Sequence, residues 1–496
     1  MQSWNPFLLI GCRLVSLACV VWNLPAAAAS AAEGEQQTKQ HFDADPGWEG
    51  FRNRLLPESL PRVRQDFGYL ASHFTGGDRA GEIGGRIHRS RTRAYYAKTI
   101  PTKSMNDKLS ASGRFTVTEA GGGSGMLFGW FHETSRGWRT PNSLGFRIDG
   151  NGGKYWLFYE YGTRNWRTGG AGAFDGPRYQ TTPTKPFPSD GTVHDWSLKY
   201  DPDGNNGNGV LHFTVDGKTY PPLAVTPGHK AEGARFNRFG IWNVQIGGDA
   251  LEAYFDDLVI DGVSHTFDSD PQWTGVRNQV EFAERVIRPL HDFGYTPTQH
   301  AGGEPGELGG VIFRDEQPAY YAGRTGPLTL DTELFASGTV AFLHAGSDSG
   351  VCLGWFNSKG KRGKTIPAHV QRQKNLLAIM IEGPSRAGHY FRPVYATTTG
   401  AGSNGLQDSL SGKSPPVIRP DGAVHRWSMH YLPAGAAGNG RIEVTFDGKT
   451  QTVDLEPGRK AENALFDRFG LFNIQSGGHH VEIYFDDIRF TAAERR

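Results

Sequence analysis

The chain repeats itself over nearly its whole length. His41–Asn53 reads HFDADPGWEGFRN and His265–Asn278 reads HTFDSDPQWTGVRN. Asp66-Phe67-Gly68-Tyr69 returns as Asp292-Phe293-Gly294-Tyr295, and Gly81-Glu82-Ile83-Gly84-Gly85 as Gly306-Glu307-Leu308-Gly309-Gly310. Ala94-Tyr95-Tyr96-Ala97, Gly129-Trp130-Phe131, the Val193–Ser197 segment and Tyr254-Phe255-Asp256-Asp257 all have counterparts in the same order. The offset stays between about 225 and 231 residues. A period this long is a duplicated domain, because solenoid repeats run at about 20–50 residues. The reading is a tandem pair, residues 41–264 and 265–491, with a short linker at 33–40 and a tail at 492–496.

Each copy reads as β. Short apolar runs alternate with turn signals, and Gly supplies 67 of the 496 residues. Val210–Val215 alternates and runs into Asp216-Gly217, and Ile442–Phe446 into Asp447-Gly448, which is hairpin chemistry. His194, Trp196, Leu198 and Tyr200 share one face of a strand, so His194 reads as a core histidine, and His425 likewise. The best helical candidate is Gln279–Leu290, which Pro289 would break.

The strand V-H-x-W-S-x-x-Y, its following turn, an alternating strand and V-D-G-K resemble the corresponding stretch of laminin-G-like domains. The closing Tyr-Phe-Asp-Asp strand is similar to the last strand of concanavalin A-like lectin/glucanase jelly rolls. The resemblance covers about the C-terminal third of each copy. It implies two tandem antiparallel β-sandwich (jelly-roll) domains, all-β, of a superfamily whose concave sheet often holds glycan. Function must still be argued from a site.

Residues 1–32 read as a signal peptide: Arg13, an apolar run from Leu14 to Leu24, then Pro25 and a small-residue run ending at Ala32. Its removal takes Arg13 and two of the three Cys, and leaves 51 basic against 51 acidic residues. Cys352, in the apolar run Val351–Leu353, reads as a buried small hydrophobe. The balanced charge speaks against nucleic-acid partners, and no later segment is long enough to span a membrane. The expected location is periplasmic, extracellular or cell-surface.

Candidate carbohydrate-binding residues fall in two sets. Trp138, Arg139, Trp166 and Arg167 are aromatic–guanidinium pairs in polar, Gly-rich surroundings, suited to stacking sugar rings in loops. Asn243 and Gln245, repeated as Asn473 and Gln475, alternate with apolar residues, and Tyr254 and Tyr484 do the same on the next strand. If the two strands neighbour each other, one face carries an amide–carboxylate–phenol cluster. Candidate catalytic groups are Glu82, Arg89, Tyr95 and Tyr96 for a lyase, and Glu252 with Asp256 for a hydrolase. A buried Glu82–Arg89 structural pair is the competing explanation of the first two. Glu252 and Asp256 stand roughly 13 Å apart along an extended strand, too far for a glycosidase pair without a bulge. Asp256, Asp257, Asp486 and Asp487 are candidates for a structural calcium; no other cofactor is called for.

The expected function is recognition of a polysaccharide or oligosaccharide by an exported protein, with the first copy better equipped. A polysaccharide lyase or glycoside hydrolase is the first alternative, and a structural or adhesive surface protein the second. The sequence leaves the glycan and the oligomeric state open.

Overall fold

The computed structural model describes residues 35–493 apart from 78, 139, 174–184, 286–289, 347–348, 361–373, 384–389, 403–417 and 476–477. The expected leader and Arg139 lie outside the described residues. Among these, the chain is nearly all β, in four antiparallel sheets of ten, eight, nine and six strands. The ten-stranded sheet is centred on Val193–Asp201, Leu109–Ala120, Ala250–Ile260, Glu82–His88 and Arg62–Leu70, in that spatial order. The eight-stranded sheet runs Thr168–Ala173, Lys154–Gly162, Ser143–Asn151, Gly122–Phe131, Arg235–Asn243, Tyr95–Ser104 and Thr274–Val276. These two enclose one hydrophobic core, where Phe128 of one sheet stacks on Phe255 of the other at 4.1 Å between centroids.

The second pair repeats this arrangement. Its nine-stranded sheet is centred on His291–Thr296, Glu307–Phe313, His480–Ala493, Leu334–Ala345 and Val424–Leu432. Its six-stranded sheet runs Glu49–Phe51, Tyr320–Thr329, Leu465–Asn473, Ser349–Phe356, Leu376–Gly383 and Tyr390–Ala396. Phe469 stacks on Phe490 across this second core at 4.3 Å. The alternating strands behave as their pattern requires. Trp196, Leu198 and Tyr200 are buried, and Asp216-Gly217 and Asp447-Gly448 take positive φ at both positions, as a tight two-residue hairpin demands. His194 packs on Phe115 and Phe187 and its Nδ1 lies 2.7 Å from the Asp216 carboxylate, which ties that hairpin to its neighbouring strand. Cys352 is buried.

One segment corrects the sequence reading. Gln279–Ala283 is a strand, not the start of a helix, and it pairs with Arg62–Asp66 at the sheet edge. Val280 and Phe282 are half-buried while Gln279, Glu281 and Ala283 are exposed, a two-residue alternation that pairing makes use of and a helix would not.

Strand pairing also crosses residue 264 in both directions. Residues 35–40, read as a linker, form a strand beside Ile488–Ala493 of the nine-stranded sheet. Glu49–Phe51 pairs with Tyr320–Ala322 and Arg54–Leu55 with His291–Asp292, so the first motif copy docks on the second pair of sheets. There Tyr321 donates to Asp45 at 2.6 Å, Asn53 Nδ2 donates to Phe293 O at 2.6 Å, and Trp48 lies edge-on to Phe490. The second motif copy docks on the first pair. Thr274–Val276 pairs with Tyr95–Ala97, Tyr96 donates to Asp270 at 3.4 Å, and Asn278 Nδ2 donates to Phe67 O at 2.5 Å. Connectivity explains the arrangement. Val263–His265 turns back on the strand that precedes it, whereas His480–Ala493 takes its corresponding partner from the opposite end of the chain.

Trp48→Ala should therefore weaken the second pair alone. The expected cost is roughly 2 to 3 kcal/mol, below the range for a fully buried Trp. Hydrogen exchange should quicken in Tyr320–Thr329 and His480–Ala493 and stay unchanged in Tyr95–Ser104; Trp273→Ala should give the mirror result.

Candidate functional site

On the ten-stranded sheet, Glu82, Glu252, Tyr254 and Asp256 alternate with the core residues Ile83, Leu251, Ala253 and Phe255, and so share its outer face. Glu82 is fully buried. It accepts from Ser72 Oγ, from the N–H groups of Phe74 and Thr75, and from Thr75 Oγ1, at 2.6 to 3.0 Å. Its task is to hold the 72–75 loop down on the sheet, where Phe74 stacks on Tyr254 at 4.3 Å. Glu307 does the same by accepting from the N–H groups of His300 and Ala301, and the His300 ring lies 4.4 Å from Tyr484. The following glycines let the strand pass its neighbours: a Cβ on Gly84 would stand 2.2 Å from Ala253 O. The G-E-[IL]-G-G motif is thus a loop clamp, and the expected Glu82–Arg89 pair does not form.

The other outer-face groups are also spoken for. Glu252 faces Arg86 at 3.5 Å. Burial pushes the Tyr254 phenol up to about 12. Burial, with the nearby charges of Asp257 and Glu82 added, pushes the Asp256 carboxyl up to about 7, and burial raises Asp486 to about 6. Strand pairing shifts register after Asp256, and Asp257 takes a φ of 51° there, as Asp487 does at the matching position. Asp257 bonds Arg114 at 3.1 Å and Asp487 lies 2.7 Å from His41 Nδ1. Calcium asks for six to eight oxygens. Among the described residues no group of three or more His, Cys, Asp or Glu converges on an ion position.

Asn243 and Asn473 stand in the eight- and six-stranded sheets, away from Tyr254 and Tyr484, so the amide–carboxylate–phenol face does not form. Both amides serve the backbone instead. Asn243 accepts from Ala94 N–H at 2.9 Å and donates to Ser90 O and Thr92 O at 3.1 and 3.0 Å. Asn473 makes the matching bonds to Ala319, Asp315 and Gln317. Gln245 accepts from Gly137 N–H at 2.9 Å, and Gln475 is likewise buried. A lone sequence shows such an amide as polar on a strand; only the fold shows which carbonyls it faces.

The outer face of the eight-stranded sheet gathers the remaining candidates. Arg89, Asp149, Arg147 and Glu160 form a continuous chain of charges. Arg89 pairs with Asp149, Arg147 Nη1 lies 3.0 Å from Asp149, and Arg147 Nε lies 3.4 Å from Glu160. Their side chains are between 7% and 14% exposed. Burial works to raise Asp149, but the Arg147 and Arg89 charges outweigh it and hold the carboxyl below its ordinary range. Trp138 lies against both guanidinium groups, 5.5 Å from Arg89 and 5.1 Å from Arg147, and Arg147 also covers Phe158 at 4.5 Å. The loop that carries Trp138 is pinned by Gln245 and by a bond from Trp242 Nε1 to Thr140 Oγ1 at 3.2 Å. Trp166, at a φ of 61°, borders Gly137 of the same loop, and its neighbour Arg167 bonds Glu232 at 2.8 Å. The structure thus brings Trp138, Trp166, Arg167 and Arg89 to adjoining loops and strands. Arg147, Asp149 and Glu160 are functional candidates that sequence reading missed, although their alternation with Phe146, Ile148 and Tyr159 marks them as facing away from the core.

Among the described residues, the matching strands of the second pair carry a different set of side chains. By strand register the positions of Arg147, Asp149, Phe158 and Glu160 are taken by Met380, Glu382, Arg392 and Val394, and Arg392 pairs with Glu382. The six catalytic candidates do not meet either. Glu82, Glu252 and Asp256 lie on the ten-stranded sheet, Arg89 and Tyr95 on the outer side of the eight-stranded sheet, and Tyr96 in the core between them.

No family model and no curated protein matches the chain. Among solved structures, the mouse laminin α1 chain domains LG4-5 align over 88% of this chain and 93% of that one, at 12% identity and a TM-score of 0.25. The Emp47p carbohydrate recognition domain aligns over 40% and 89%, at 11% identity and 0.25. An alginate lyase from Pseudomonas aeruginosa aligns over 40% and 86%, at 10% identity and 0.24. Likeness at this level carries no functional argument, and the β-sandwich class rests on the strand pairing itself.

Two outcomes follow from these environments. A carboxyl with a folded value above its unfolded one binds its proton more tightly in the fold, so stability drains away as pH rises from about 4. Asp256→Asn with Asp486→Asn should remove the part lost up to about 7 and 6 respectively, read as a flatter urea midpoint between pH 4 and 8. Asn243→Ala strands one N–H and two carbonyls and should cost about 2 to 3 kcal/mol in the same assay.

Proposed function

We propose that this is an exported polysaccharide-recognition protein that binds glycan on the outer face of the eight-stranded sheet. The observation that carries the reading is Trp138 set against two guanidinium groups above a buried Arg–Asp–Arg–Glu chain. Packing four charges side by side is a poor way to stabilise a sheet face, and replacing such groups by apolar ones is often neutral or better. The other pair of sheets has Met380 and Val394 at the Arg147 and Glu160 positions while keeping the strand register. A face that keeps an aromatic ring, guanidinium donors and carboxylate acceptors together suits a sugar, which stacks through its C–H surface and bonds through its hydroxyls. The separation of the catalytic candidates favours binding over turnover. The leader supports export, and the small-residue run at its end stops three residues short of the strand that starts at Glu35, so cleavage there would spare it. The repeat and the matching strand orders support an origin by tandem duplication, with binding kept in the first copy.

A polysaccharide panel scored for retention and for cleavage tests this. Wild type should be retained on at least one polymer without releasing product. Trp138→Ala with Trp166→Ala should weaken retention at least about tenfold, the scale of a lost stacking platform with its cation contacts, while Arg392→Met leaves it unchanged. Unchanged retention in the Trp double variant, or product release by wild type, overturns the reading.

A further inference from the structure

Beside the Trp138 loop the first pair of sheets opens a groove lined by two arginines that the second copy does not have. A cavity of about 570 Å³ is lined by Ser104, His132, Asn142, Arg164 and Arg235, and a second of about 470 Å³ shares Arg164 and continues past Lys230 and Asn208. The groove floor is built by backbone. Arg164 N–H donates to Gly233 O at 2.9 Å and Arg235 N–H to Asn142 Oδ1 at 3.0 Å. Both residues are exposed, and among the described residues neither guanidinium has a hydrogen-bond or ion-pair partner. The acid that lines the groove, Glu232, is already paired with Arg167 and accepts from Thr163. Arg419, from the other pair of sheets, bonds Asn165, the chain neighbour of Arg164.

The second copy keeps the scaffold and has neither of the two guanidinium groups at its matching positions. Thr398 N–H donates to Asn463 O as Arg164 does to Gly233, and Leu465 N–H donates to Asn375 Oδ1 as Arg235 does to Asn142. Thr398, Leu465 and Asn357 thus stand where the first copy has Arg164, Arg235 and His132. A cleft of ligand size with two unengaged planar forks and flanking amide and hydroxyl groups is equipped for a carboxylate or sulfate on a sugar ring.

We infer that the groove lined by Arg164 and Arg235 is an anionic subsite, and that the glycan is an acidic polysaccharide carrying its charge on the sugar. This rests on the polysaccharide reading and narrows it. It also accounts for how a chain of nearly balanced charge would select an acidic polymer, since the selection is local and owes nothing to a long-range field.

The test compares polygalacturonate, its fully methyl-esterified form and a sulfated galactan, with wild type, Arg164→Ala/Arg235→Ala and Trp138→Ala. Wild type should hold at least one charged polymer at least about tenfold more tightly than the neutral ester, the scale of one to two charge-assisted bonds. The Arg double variant should lose that preference and most of the salt dependence while keeping the residual binding to the ester. Trp138→Ala should weaken charged and neutral polymers alike. Preference for polygalacturonate over the galactan identifies carboxylate as the group, and the reverse identifies sulfate. If the Arg double variant keeps the preference while Trp138→Ala loses binding, the subsite is wrong and the polysaccharide reading stands. If wild type binds no glycan, both fail. Equal binding of duplex DNA at the same salt would reduce the groove to a general anion patch and overturn the inference.

Discussion

The structure hangs on an exchange of closing segments. Each pair of sheets is completed by a stretch holding Asp, Trp and Asn in fixed spacing, and each stretch does the same three things. Its Asp accepts from a buried Tyr, its Trp packs beside that Tyr, and its Asn reaches a carbonyl on the opposite sheet. In the first pair the segment follows its own closing strand. In the second it arrives from the far end of the chain, through a strand that pairs with Ile488–Ala493. Without it the six-stranded sheet has an open edge at Tyr320–Ala322, and an open edge exposes unpaired backbone groups.

Within that closed frame the two pairs of sheets show what a fold can hold constant while a surface changes. The clamps are kept: Glu82 and Glu307 on their loops, Asn243 and Asn473 on their backbones, Asp216 and Asp447 beside their histidines. The outer face of one sheet is not kept. Replacing Arg147 by Met380 and Glu160 by Val394 removes two members of a four-charge chain without moving a strand. Groups that satisfy backbone are held in place by the cost of leaving N–H and C=O groups unpaired in the interior. Groups that satisfy only each other carry no such backbone cost when they are replaced.

Much of the fold was legible in the residues. Alternation in Val193–Asp201 and Val210–Val215, with Asp-Gly after the latter, is a local signal, and local signals survive in a single sequence. The edge strand Gln279–Ala283 was not legible, because its residues are acceptable in a helix and only its partner decides. The site was half legible. Trp138 and Trp166 stand out by composition, and the loops do bring them together. Asn243, Gln245 and Tyr254 misled, since a buried amide or phenol engaged by its own protein looks the same in sequence as one waiting for a ligand.

The strand at Glu35–Gln40 has a further consequence for how the protein is made. Gln37 donates to Thr491, partners 454 residues apart. A chain emerging residue by residue from the ribosome therefore presents this strand some 454 residues before its partner. The first core can assemble while synthesis continues, because its closing segment is already in hand by Ala283. The second cannot, and its earliest-made strand must stay unpaired until Ile488–Ala493 has been made. Contacts of such separation slow folding and lengthen the time an edge is exposed. The first pair of sheets can thus close early, and the second only when strands some 454 residues apart meet.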